Sequence, residues 1–108
     1  MFYYEVTATL KGAEAREAYL TWLKGGHAAA LLQWAERAEV ISLEQGPDEA
    51  ALWRVKSVYC FQDRAAYERY VREGAPALRA EGLALAERLG GISFERALGE
   101  GWSCEPLG

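Results

Sequence analysis

The first ten residues alternate. In FYYEVTATL (2–10), Phe2, Tyr4, Val6, Ala8 and Leu10 share one parity; Tyr3, Glu5, Thr7 and Thr9 share the other. A period of two with one apolar set predicts a half-buried strand. Lys11-Gly12 turns the chain into AEAREAYLTWLK (13–24), rich in helix formers, and Leu20, Leu23, His27, Leu31 and Trp34 continue one apolar stripe. Gly25-Gly26 interrupts that stripe, which predicts a kink or two helical pieces. AEVISLEQ (38–45) reads as a second strand ending at the turn Gly46-Pro47-Asp48. The third, AALWRVKSVYCFQ (50–62), is enriched in β-branched and aromatic residues.

Asp63 is placed to cap the following helix. The helix restarts after Ala75-Pro76, where proline's missing N–H is harmless, and Gly90-Gly91 ends it. ISFERAL (92–98) is the fourth strand. The domain is expected to span 1–99, with 100–108 a loosely held tail except where Trp102 docks.

The order β-α-β-β-α-β carries an internal repeat. AYLTWLKGGHAAAL (18–31) aligns without gaps with AYERYVREGAPALR (66–79), matching Tyr19 to Tyr67, Trp22 to Tyr70 and Gly26 to Gly74. Two related halves of this kind predict an α+β, ferredoxin-like domain: a four-stranded antiparallel sheet with both helices on one face. Right-handed crossovers put the first and third strands at the sheet centre, expected parallel to one another.

One sheet face is then left open. Tyr3, Glu5, Thr7 and Thr9 fall on it from the first strand. On the third strand neither parity is purely polar; Trp53, Val55, Tyr59 and Phe61 are placed under the helices, and Arg54 and Lys56 outward. Glu5 then neighbours Arg54 or Lys56, with Glu95 or Arg96 joining from the edge. Such charges read either as a surface ion-pair ladder or as a polar cavity floor, with Glu5 a base and Arg54 or Lys56 an anion anchor.

Composition narrows the function. Twelve Lys+Arg against sixteen Asp+Glu give a net charge of −4, which argues against nucleic acid or an anionic membrane as partner. No signal peptide or membrane span is visible, so a cytoplasmic protein is expected. Cys60 and Cys104 read as free thiols, a disulfide between them being the alternative. No phosphate loop, nucleophile elbow or metal-ligand spacing is present, so neither metal nor cofactor is expected. His27 is the one histidine, with no acid three or four residues away to fix its tautomer. It is either a general base or a packed ring at the helix break, and Trp22 and Trp34, one to two turns away, are either core or pocket lining.

The first strand YYEVTATL, the Trp22-to-His27 spacing, YCFQDRAAYERY (59–70) and EGAPALRAEGL (73–83) together resemble a bacterial domain-of-unknown-function family of the dimeric α/β-barrel superfamily, across residues 2–98. The resemblance implies a homodimer paired through the open sheet face. Its relatives include antibiotic-biosynthesis monooxygenases, lactone-isomerising and haem-degrading enzymes, which pass on a fold more surely than a chemistry. One histidine on the first helix does not match the haem degraders. Three functions follow: a homodimer binding a small apolar or aromatic molecule between sheets; a cofactor-independent monooxygenase or isomerase using His27, Glu5 or Tyr3; or a structural dimer; in the first two, Trp22, Trp34, Arg54 and Lys56 are the candidate ligand-binding residues. The direction of the His27 ring separates them.

Overall fold

The computed structural model describes residues 1–44 and 52–107. Four strands, β1 (Phe2–Lys11), β2 (Arg37–Leu43), β3 (Leu52–Phe61) and β4 (Ser93–Glu100), form one sheet in the order β2-β3-β1-β4. Every neighbouring pair is antiparallel. The first and third strands are central as expected, but antiparallel rather than parallel. The reason is topological: each helical crossover skips one strand, so β3, hairpin partner of β2, fills the gap beside β1 and runs against it. The predicted turn Gly46-Pro47-Asp48 lies outside the described residues.

Helix α1 (Ala13–Trp22) runs into a widened turn, Leu23–His27, where Gly26 takes φ 140° and ψ −20°. This conformation is accessible to glycine and strained for other residues. Short helical turns follow at Ala28–Ala30 and Leu31–Gln33, so the predicted kink is present. Asp63 caps α2 (Arg64–Glu73), its carboxylate accepting from the Ala66 N–H at 2.9 Å. Helix α3 (Ala75–Leu89) starts with Pro76 in its first turn and stops at Gly90 and Gly91, both at positive φ. The breaks after Gly26 and at Gly74 occupy matching places in the repeat.

The core lies between the helices and one sheet face. Phe2, Tyr4, Ala8 and Leu10 from β1 and Val55, Tyr59 and Phe61 from β3 are buried there with Tyr19, Leu23, Tyr67, Tyr70 and Leu85. The preferred register of β3 is therefore the observed one, with Trp53 partly buried on the same side. Much of the aromatic content forms one tilted cluster, Tyr4 lying 5.4–6.0 Å between ring centroids from Tyr59, Tyr67 and Tyr70. Strand β4 runs two residues past its predicted end, and Trp102 beyond it is 81% exposed rather than docked. Cys60 is buried and Cys104 exposed, and both are free. No helix among the described residues is long and apolar enough to cross a membrane.

Candidate functional site

The residues singled out from sequence are divided by the sheet. Tyr3, Glu5, Arg54 and Lys56 stand on the open face. Lys56 Nζ lies 3.6 Å from Glu5 Oε2 with both side chains about one-third exposed, a spacing and exposure typical of weak surface ion pairs. Register places Glu95 beside Thr7, on the open face, and Arg96 beside Val6, on the helix side. Of the two edge residues expected to join this group, Arg96 is therefore absent from it. Tyr3 packs near Cys60 and Arg37; Cys60 is the main influence raising its phenol pKa.

His27 and Trp22 stand on the other side. A cavity of about 50 Å³ lies between the helices and the covered sheet face. Trp22, His27, Ser57, Tyr59, Arg79 and Arg96 are among its walls. The widened turn carries His27 out of α1's regular spiral and folds its ring back over Trp22, with ring centroids 3.8 Å apart and planes 22° apart. His27 Nδ1 lies 3.4 Å from Glu81 Oε2 of α3, supplying across the fold the acid absent from its own helix. Burial lowers the His27 pKa from its ordinary 6.5, with Glu81 pulling the other way, so the ring is neutral at pH 7. A neutral ring that donates from Nδ1 to a carboxylate leaves Nε2 as an acceptor.

The floor of the cavity is polar. Ser57 on β3 is 1% exposed, and its hydroxyl sits beside those of Tyr19 and Tyr59. Desolvation raises the Tyr19 and Tyr59 phenols to about 12, with hydrogen bonding to the Ser57 side chain acting in the opposite direction. Tyr70 is raised further for the same first reason. These hydroxyls are thus protonated donors at neutral pH. Arg96 Nε donates to the Tyr4 hydroxyl at 3.1 Å. Burial opposes the charge on Arg79, but Tyr4 and its neighbours outweigh it and hold the guanidinium pKa above its ordinary value. Arg79 Nε is itself buried without a partner.

Trp34 is not in this wall. Its ring packs edge-on against Tyr70 at 5.6 Å and lies over Gly74. The cavity between the helices and the sheet is one of several: the open face, where ligand binding was expected, carries concavities of about 270 Å³ beside Tyr3 and Glu5 and about 230 Å³ beside Tyr3, Arg37 and Val58. The bulky core rings do not close the layer completely around the glycine-broken helices. Ser57 and Arg79 were not among the expected site residues, and Arg96 was expected on the open face rather than the helix side. One signal existed: Arg96 shares parity with Ile92, Phe94 and Leu98, which places a charge on an apolar face.

No family model and no curated protein matches the chain. Solved structures do. A dimeric ferredoxin-like protein from an uncultured marine organism superposes with a TM-score of 0.69 at 12% identity, over 94% of this chain and 97% of that one. SnoaB, a cofactor-independent oxygenase from Streptomyces nogalater solved in mutant form, gives 0.59 at 16% identity, over 98% of each chain. An ethyl tert-butyl ether d (ethd) family protein from Bacillus halodurans gives 0.61 at 16%, over 93% of this chain and 99% of that one. At these identities the likeness is one of backbone: the chain has a ferredoxin-like α+β fold.

Proposed function

We propose that this protein is a homodimer that binds a small, largely apolar molecule in the helix-side cavity of each protomer. The observation carrying this reading is a cavity with aromatic walls that is also lined by Arg79, whose Nε is buried with no hydrogen-bond partner among the described residues. Buried polar groups are normally paired, and an orphan facing a cavity is one that a bound group can satisfy. Roughly 150 Å³ suffices for benzene in an apolar protein cavity. A space of about 50 Å³ must therefore open to take a ring. Leu83, 62% exposed and part of the wall, and the Trp22–His27 stack are the groups placed to yield.

The dimer part of the reading rests on the open face and on the description of two structural neighbours as dimeric. The second copy would cover Tyr3, Glu5, Val58 and Lys56, leaving the cavity to each protomer. A cytoplasmic setting is consistent with two free thiols.

A second reading is favoured by one observation. His27 is neutral, held by Glu81 and part of the cavity wall, which is the arrangement a general base requires. The alternative function is a cofactor-independent monooxygenase or isomerase with His27 as base. Glu5 and Tyr3, across the sheet, would not reach the same molecule.

A thermal-shift screen of single-ring and two-ring aromatic compounds tests the binding reading, since a ligand at 100-fold its dissociation constant adds about 2.7 kcal/mol of stability. Gly82→Leu, which fills the cavity wall, should abolish the shift. Shifts that persist in this variant would refute the cavity as the binding place.

A further inference from the structure

Resting on the binding reading above, we infer that the floor of this cavity is a carboxylate subsite, and that the ligand is a small monocarboxylate with an apolar or aromatic body. The charges are one-sided: Arg79 and Arg96 both line the cavity, and among the described residues no Asp or Glu is in its walls. Neither guanidinium has a carboxylate partner among the described residues. They share the Tyr4 hydroxyl instead, which Arg96 Nε reaches at 3.1 Å and which supports the charge of Arg79.

Polar donors converge on the same space. Arg79 Nε is buried with no hydrogen-bond partner among the described residues, and the Ser57 hydroxyl lies beside those of Tyr19 and Tyr59. Tyr19 and Tyr59 present phenols held protonated at neutral pH. Two cations and several hydroxyl donors with no anion form a receptor lacking its acceptor. A carboxylate fits because its two oxygens match a planar guanidinium, here the half-buried Arg79 with the exposed Arg96 beside it. The apolar body then lies toward Leu23, Leu31 and Phe94. In the first half of the molecule's internal repeat, position 79 corresponds to Leu31, so only one half supplies the cation.

Matched pairs of probes test this on the full-length protein. Benzoate with benzamide, and 2-naphthoate with 2-naphthamide, are titrated by amide-resolved NMR, with inorganic phosphate as a third probe. The proposal expects each carboxylate to bind at least tenfold more tightly than its amide, with shifts at Ser57 and Arg79. Arg79→Gln combined with Arg96→Gln should cost the carboxylates at least tenfold and the amides less than threefold. If that variant does not fold, Arg79→Lys, which keeps the charge, should retain most of the preference. Equal binding of acid and amide overturns the carboxylate subsite and leaves the binding reading standing. Phosphate binding more tightly than either carboxylate overturns it as well. Binding of none of the probes at millimolar concentration overturns both.

Discussion

The His27 ring lies stacked on Trp22 with its Nδ1 turned to Glu81, 3.4 Å away. One contact removes the imidazole from water and the other favours its charged form. Burial wins, and the folded-state pKa falls below 6.5. A depressed histidine pKa means the native state binds the proton less readily than the unfolded chain. The stability held by neutral His27 is therefore full above about pH 6.5 and is lost as pH falls through the lower folded-state value. An NMR titration should place the imidazole midpoint below 6.5. In Glu81→Gln, which deletes the opposing influence, the midpoint should fall further; a rise would show that burial is not in control.

Two glycines of the second helical segment predict opposite outcomes. A Cβ on Gly74 would meet the Trp34 ring at 2.5 Å, so Gly74→Ala must displace a bulky, packed indole. The expected cost is about 1–3 kcal/mol in urea denaturation. A Cβ on Gly82 would stand 3.6 Å from Trp22, an ordinary contact, within α3. Gly82→Ala should therefore stabilise by about 0.5–1 kcal/mol through helix propensity. The reverse order of the two effects would contradict this packing.

The alternation in β1, the glycine break, the Asp63 cap and the Pro76 restart were all legible, because each depends on local chain chemistry. The register of β3 was legible only as a preference. It turns on whether Ser57 or Cys60 joins the apolar side, and both are buried, one under the helices and one on the open face. The site was harder to read. His27 meets Glu81 across 54 residues, and Arg79 and Arg96 come together through Tyr4, a residue whose parity alone marks it as core. No spacing rule along the chain encodes such pairings, which exist only once the two halves of the repeat pack.

Asp63 closes the first turn of α2 through a single 2.9 Å bond. Asp63→Ala should cost about 1 kcal/mol, and Asp63→Asn much less, since an amide oxygen also caps. Chemical denaturation of the three proteins side by side measures the difference. Equal losses in both variants would mean that the carboxylate's charge, rather than its hydrogen bond, is what α2 uses.

The open face predicts an oligomeric state. Light scattering at micromolar concentration should return twice the 12.0 kDa chain mass. Val58 lies between Glu5 and Glu39 across the three strands. Val58→Asp adds a third acid to that row and should shift the mass to one chain while leaving the sheet's circular dichroism intact. A single-chain mass for the unsubstituted protein would remove the dimer from this account.

The central claim is that a ligand enters on the helix side of the sheet. Amide-resolved NMR with the best-binding compound from the thermal-shift screen tests it directly, because adjacent residues on β3 face opposite ways. The account predicts the largest shifts at Ser57, Tyr59, Gly82 and Phe94, around the cavity. Largest shifts at Tyr3, Glu5, Lys56 and Val58, with the cavity residues unmoved, would place binding on the open face and contradict it.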